Sequence, residues 1–199
     1  MVDDTRRRTP RSEVRERLLA AAAALFAQRG IAGASLDDIA ASAGFTKGAI
    51  YSNFATKSEL IVALMDHLTT AQLDATEKLI AVGGRDEASM AQVIRTAYGP
   101  ITPERRAGWA LATELRLHTE RHPEALPGFV RTRLAVHDQV RGWVQGYLAL
   151  HPETRLALTP DEVASVCNAI LAGLALDADV PGTPTAGDLI VKVLLAIRR

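Results

Sequence analysis

The chain has 199 residues, carries 23 Lys/Arg against 23 Asp/Glu, and is 48% hydrophobic but only 5% aromatic. Zero net charge excludes the strongly basic composition that by itself marks a nucleic-acid binder, and recurring Ala and Leu argue for helices over strands. A single cysteine, Cys167, excludes an intramolecular disulfide framework and a Cys-rich zinc site, and its hydrophobic helical surroundings make it read as a buried, inert thiol.

No window reaches the roughly 18 consecutive apolar residues of a membrane span. The N-terminus has arginines but no apolar stretch before a small-residue cleavage site. The expectation is a cytoplasmic, all-α protein with no membrane partner. Charge is mildly asymmetric: up to Leu60 there are nine Lys/Arg and seven Asp/Glu, a local +2 that leaves −2 for the rest.

Residues Met1 to Ser12 read as a disordered basic arm, with Arg6, Arg7, Arg8 and Arg11 around Pro10. From about Glu13 a helix is predicted, with Val14, Leu18, Ala22, Leu25 and Phe26 on one stripe and Gly30 as its stop. Two short helices follow. Ser35 and Asp38 form a capping box for Leu36 to Ala43, which Gly44 ends; Thr46 caps a helix from Lys47 to about Phe54, with Phe45 placed to staple onto Ile50. Thr56 and Glu59 form a second capping box for a helix running to about Ala81, which Gly83 and Gly84 terminate.

Helices are then predicted over Asp86 to Tyr98 and, with Thr102 as cap and Pro103 at the first position, over Pro103 to Arg121. A long helix spans Glu124 to Leu150, interrupted if anywhere near Pro127, with Val130, Leu134, His137, Arg141 and Val144 down one side. Thr159-Pro160-Asp161-Glu162 combines cap, proline and capping-box acid at the start of a helix to Leu176, and after a loop a last helix covers Ala186 to Arg198.

The two short helices joined by Ala43-Gly44-Phe45, with a third crossing them, have the helix-turn-helix layout, in which the second short helix enters the major groove. Thr46, Lys47, Gly48, Ala49, Tyr51, Ser52 and Asn53 present hydroxyls, an ammonium, an amide and two residues small enough for close backbone approach. The run from Leu36 to Leu60, with its IA-x-x-AG-x-[ST]-KG-x-[IL]-Y-x-x-F-x-x-K pattern, resembles the DNA-binding signature of the TetR family. That resemblance implies a nine-helix, all-α fold with a DNA-binding domain at 1–57, including the basic arm, and an effector-binding and dimerisation domain at 58–199. It further implies phosphate contacts from Thr46, Lys47, Tyr51 and Lys57 and base-edge contacts around Lys47, Gly48, Ala49, Ser52 and Asn53, with Ser35 at the edge of the interface. Many relatives have His where this chain has Asn53, so base preference does not transfer. Tyr51 also reads as a core aromatic with its hydroxyl at the surface, and the arm as either a minor-groove reader or a solvated tail.

The resemblance implies a homodimer built on the last two helices, and their composition agrees: Val163, Val166, Ile170, Gly173 and Leu174 in one and Leu189, Ile190, Val193, Leu194 and Ile197 in the other. An unknown small-molecule effector is expected among the middle helices, with Tyr98, Trp109, Phe129, His137 and Trp143 as candidate contacts, each of which also reads as core. Glu114, His118 and His122 have metal-compatible i, i+4, i+8 spacing, but His122 precedes Pro123 at a helix end, and no metal is expected. With no Gly-rich phosphate loop, no His-Glu-x-x-His and no nucleophile beside a base, the chain reads as a non-enzyme without cofactor. The partners expected are double-stranded operator DNA, the effector and a second copy. The default outcome is repression; the alternative is a ligand-responsive binding protein or an activator with altered DNA recognition.

Overall fold

In a computed structural model, which describes residues 10–83, 86–100, 102–177 and 180–198, the chain is all-α. Arg6, Arg7, Arg8 and Gly84 lie outside the described residues.

The first helix, α1 (Arg11–Arg29), begins two residues before the expected Glu13, because Pro10 with φ −55° and ψ 144° stands at the N-cap and its carbonyl accepts the Val14 N–H at 3.1 Å. Arg11 and Ser12 are therefore helical and not part of a disordered arm. In α2 (Leu36–Ser42) the predicted capping box is complete. The turn after it depends on Gly44 at φ 74°, a left-handed conformation that a side chain would strain.

The next helix, α3 (Lys47–Tyr51), stops short of the expected Phe54. The reason is local: the Ser52 hydroxyl and the Asn53 amide both donate to the Ala49 carbonyl, at 2.9 and 2.8 Å, and compete with helical continuation. The helix α4 (Lys57–Val82) is capped by Thr56, whose hydroxyl accepts the Glu59 N–H at 3.1 Å. The reciprocal half of the expected box is redirected, since the Glu59 carboxylate accepts the Ala55 N–H at 2.8 Å.

The remaining helices are α5 (Glu87–Ala97), α6 (Pro103–Arg121), α7 (Leu126–Leu150), α8 (Pro160–Leu176) and α9 (Ala186–Ala196), with a 3-10 turn at Pro123–Ala125 splitting off the start of the predicted long helix. The α7 side bearing Val130 and Leu134 faces solvent, these being 42% and 56% exposed. The end of α9 comes before Arg198, which instead bridges Leu156 while Ala157 N–H donates to the Ile197 carbonyl at 2.7 Å.

Burial divides into two clusters. The first joins Leu18, Phe26, Ile39, Ile50, Phe54, Leu60, Ile61 and Leu64 with Leu111 and Leu115 of α6. Phe54 and Ile50 are fully buried, and each such side chain contributes on the order of 2 kcal/mol by leaving water. The second joins Val140, Val163, Ala164, Cys167, Leu171, Ala186 and Ile190, from α7, α8 and α9. The pairing of α5 with α9 is tight enough to need Gly187, where a Cβ would lie 2.9 Å from the Ile94 carbonyl oxygen.

Candidate functional site

Because Ile50 is the fully buried residue of α3, the rest of that five-residue helix is turned outward. Thr46 is its N-cap: its exposed hydroxyl accepts the Ala49 N–H at 3.3 Å, beside the free amides and positive dipole end of the helix. Lys47 is held by Asp37 of α2, Nζ to Oδ2 at 2.8 Å, with side chains 68% and 49% exposed. Its hydrogen bond to the Asp37 carboxylate keeps the ammonium more firmly protonated than usual, and its charge also lies 5.7 Å from the Tyr51 ring centroid.

Tyr51 is 46% exposed, which places it on the surface and not in the core. Ser52 is exposed and Asn53 half-buried, both tied to Ala49 as described. Ala49 is half-buried between them. At Gly48 an added Cβ would meet nothing closer than Thr46 Oγ1 at 3.9 Å, so nothing inside the chain requires glycine there. A helical glycine costs about 1 kcal/mol relative to alanine, so its small size matters on the outward side.

Ser35 is exposed but committed to its own helix: its hydroxyl and backbone N–H both donate to Asp38, at 2.5 and 2.9 Å, which lowers the Asp38 carboxyl's pKa. Lys57 is half-buried, with Nζ 6.0 Å from the Phe26 ring centroid, and burial makes its proton easier to lose.

Sequence reasoning placed Arg11 in a basic arm and missed Arg15 and Arg17 of α1 as part of this face. Arg11 donates to the Ser52 carbonyl at 2.9 Å, Arg17 donates to the Ala43 carbonyl at 3.0 Å, and the Arg15 and Arg17 guanidiniums lie over the rings of Phe54 and Phe45 at 4.5 and 4.6 Å. Pro10, Arg11 and Val14 form one wall of an open groove whose other wall is Thr46, Gly48, Ala49, Ser52 and Asn53. A polar helix of small residues beside a groove edged with arginine can meet the donors, acceptors and phosphates of a duplex.

The family model described as "Bacterial regulatory proteins, tetR family" matches residues 18–64, the segment just built from α1 to the start of α4. Residues 18–64 thus form a domain of the TetR family. Over 62 residues it is 45% identical to the HTH-type transcriptional repressor Rv3405c of Mycobacterium tuberculosis, covering 31% of this chain and 33% of that protein. Over 56 residues it is 48% identical to the HTH-type transcriptional regulator TtgR of Pseudomonas putida, covering 28% and 27%. The chain thus matches about a third of the length of these relatives. A solved structure of a TetR-family transcriptional-regulator candidate from Rhodococcus sp. aligns over 94% of this chain and all of its own, with TM-score 0.79 at 20% identity, a likeness of fold. The relatives with which it shares its N-terminal domain are named as regulators of transcription, not as enzymes.

Behind the TetR-family domain, α6 makes polar contacts with it. Glu114 accepts the Ile31 N–H at 2.8 Å, and His118 Nε2 lies 2.9 Å from the Ser58 hydroxyl. The His118 ring stacks on His122 at 4.0 Å, and burial, then the neighbouring His122, lowers its pKa. Of the three side chains with metal-compatible spacing, Glu114 thus turns to Ile31 while His118 and His122 stack on each other, and among the described residues there is no cluster of three or more His, Cys, Asp or Glu that could hold a metal ion.

A cavity of about 150 Å³ lies between α5, α7, α8 and α9, with Thr76 and Ile80 of α4 on one wall. Of the five aromatic and histidine candidates, Tyr98 and Trp143 line it. Trp109 is half-buried against the second cluster, Phe129 packs on the first, and His137 sits between α7 and α8 with Nε2 3.3 Å from Asp161. Their face of the helix, which sequence spacing leaves open, is decided by the neighbours. Thr154 and Cys167, not anticipated as pocket residues, also line the cavity, and burial pushes the Cys167 thiol up to about 11.

Of the residues expected at a dimer face, Val163 and Ile190 are buried inside the chain, 1% and 4% exposed, and line the cavity. Leu194 is half-buried and lines it as well. Val166, Ile170, Leu174, Leu189, Val193 and Ile197 are half-buried and Gly173 is exposed, as are Leu176 of α8 and Leu195 of α9. No helix among the described residues is long and apolar enough to cross a membrane.

Proposed function

We propose that this TetR-family chain is a ligand-responsive transcriptional regulator, a repressor by default, that binds palindromic operator DNA as a homodimer. The observation that carries the reading is the outward face of α3, where Thr46, Lys47, Gly48, Tyr51, Ser52 and Asn53 surround one buried anchor, Ile50. In this reading Thr46, Lys47, Tyr51 and Lys57 grip phosphates while Gly48, Ala49, Ser52 and Asn53 face base edges, with Ser35 at the margin. The half-exposed apolar residues of α8 and α9 support self-association, since a lone chain rarely leaves such a patch in water. Two-fold symmetry would set two α3 helices about one DNA turn, roughly 34 Å, apart.

The route from ligand to DNA runs through α4. Its N-terminal half supplies Leu60, Ile61 and Leu64 to the cluster that supports α3, and its C-terminal half supplies Thr76 and Ile80 to the cavity wall. A ligand that tilts α4 would take the two recognition helices out of register with successive grooves. Linkage makes the coupling reciprocal: operator DNA must weaken ligand binding by the same factor.

Selection of bound fragments from a random DNA library, followed by binding over a salt series, tests the reading. An enriched palindrome bound with steep salt dependence supports it; binding without any sequence enrichment, with or without added small molecules, overturns it. Activation is the second reading, favoured by one relative, 43% identical over 58 residues, named as the transcriptional activator FasR of Mycolicibacterium smegmatis. Placing the selected site upstream of a reporter gene separates the two.

A further inference from the structure

We propose that the cavity between α5, α7, α8 and α9 binds a neutral organic molecule about the size of one aromatic ring, held through a single hydrogen bond to the Thr154 hydroxyl. The proposal rests on the reading of the chain as ligand-responsive and names the chemistry of the ligand.

Size comes first. The cavity measures about 150 Å³, and an apolar cavity of about that volume accepts a benzene-sized guest. Its walls are mainly aliphatic and aromatic, including Val140, Trp143, Val163 and Ile190.

Charge comes second. The charged residues lining the cavity are Glu87 and Arg198, and they are paired with each other. A carboxylate or an ammonium entering among these walls would lose its hydration without gaining a free counter-charge, so the guest is neutral. The Cys167 thiol, with its pKa near 11, adds no anionic group at neutral pH.

The polar anchor comes third. Thr154 is 6% exposed, and its Oγ1 is the one buried side-chain nitrogen or oxygen among the described residues with no hydrogen-bond partner. Its backbone is satisfied, the N–H donating to the His151 carbonyl at 2.9 Å and the carbonyl accepting from Arg155 at 3.3 Å. The other buried hydroxyl on the wall, that of Thr76, already donates to the Gln72 carbonyl at 2.9 Å. A buried water needs two to four polar partners, more than one free hydroxyl supplies. A hydroxyl both donates and accepts, so it suits a phenol, a small ketone or an aldehyde.

The test uses the full chain with three probes: p-cresol, toluene and benzoate. Trp143 reports occupancy by fluorescence, since it lines the cavity, and Trp143→Phe removes that signal while Trp109 remains. The expected result is saturable quenching by p-cresol, weakened roughly three- to tenfold in Thr154→Val, the loss of one neutral hydrogen bond, and restored in Thr154→Ser. Toluene binds both forms equally or prefers the valine form, and benzoate does not bind. Thr154→Val deletes a hydroxyl without a partner, so the fold is retained, which circular dichroism verifies. Benzoate binding as tightly as p-cresol, or p-cresol affinity unchanged in Thr154→Val, overturns the proposal, as does an absence of saturable quenching. Operator affinity is measured in the same samples. If p-cresol binds as expected and DNA affinity does not change, the site and its ligand class stand while the ligand-response reading falls. If another compound releases DNA without any change at Trp143, the response stands and this cavity assignment falls.

Discussion

The carboxylate of Glu114 accepts the backbone N–H of Ile31 at 2.8 Å, joining α6 to the end of α1 across 83 residues of chain. Ile31 is 6% exposed, so its amide has little access to water once this partner is gone. Glu114→Ala is expected to destabilise the chain by about 1 kcal/mol, and Glu114→Gln, which retains an acceptor oxygen, by much less. Urea unfolding of the three proteins checks this, and equal losses in both variants would show that the carboxylate's charge and not its hydrogen bond matters.

Gly48→Ala is expected to act with opposite signs on stability and on DNA binding. The position has room for a methyl group and an ordinary helical backbone, so alanine should stabilise by roughly 0.5 kcal/mol. The same methyl would meet the duplex where the backbone approaches it, so operator affinity should fall. Thermal unfolding and a binding titration on one preparation separate the two effects.

Lys47→Ala and Lys57→Ala should weaken binding to all DNA sequences and each reduce the salt slope by about one counterion. Stability should be nearly unaffected by Lys47→Ala, because its partner pair with Asp37 is exposed. Asn53→Ala should instead change which bases are enriched in the selected fragments. A uniform loss for Asn53→Ala would assign that residue to the backbone.

Thr154→Val should raise the melting temperature, since it removes a buried hydroxyl that has no partner. A gain of about 1 kcal/mol corresponds to roughly 2–4 °C for a chain of this size. A lower melting temperature would mean that the hydroxyl is satisfied in solution.

Acid should loosen the contact between α6 and α4. The pKa of His118 is lowered, first by burial and then by its stacked neighbour His122, while Glu124 opposes the shift. For a histidine lowered in the folded state, the stabilisation is complete above the unfolded pKa of about 6.5 and disappears as pH falls below it. Unfolding midpoints measured from about pH 7.5 down to about pH 5 should therefore decline in the parent chain and decline less in His118→Gln.

The helix caps were legible because capping is local chemistry: Ser35 with Asp38 and Thr159 with Glu162 satisfy amides three residues away. The end of α3 was not, because Ser52 and Asn53 fit the outward face of a longer helix as well as they fit a cap. The outward-facing residues of α3 were readable through spacing plus family resemblance, and Arg11 as part of a basic arm, but the contact of Arg11 with Ser52 was not, since only folding brings the two together across 41 residues. The cavity was the least legible. Trp109 and Phe129 carry the same apolar signal as Trp143, and which of them lines a void depends on neighbouring helices. Thr154 lies outside any helix, so no periodicity could point to it.

Because α4 contributes Leu60, Ile61 and Leu64 to the first cluster and Thr76 and Ile80 to the cavity wall, the chain has no passive linker between α3 and the cavity. A fragment ending at residue 57 would lose Leu60, Ile61, Leu64 and the α6 side chains Leu111 and Leu115, and with them much of the first cluster. On the proposed function, exchanging operator specificity between such proteins would thus require a junction inside α4, after Met65 and before Thr76, with α6 chosen to match the incoming half. The unit that can be transplanted is larger than the unit proposed to touch DNA.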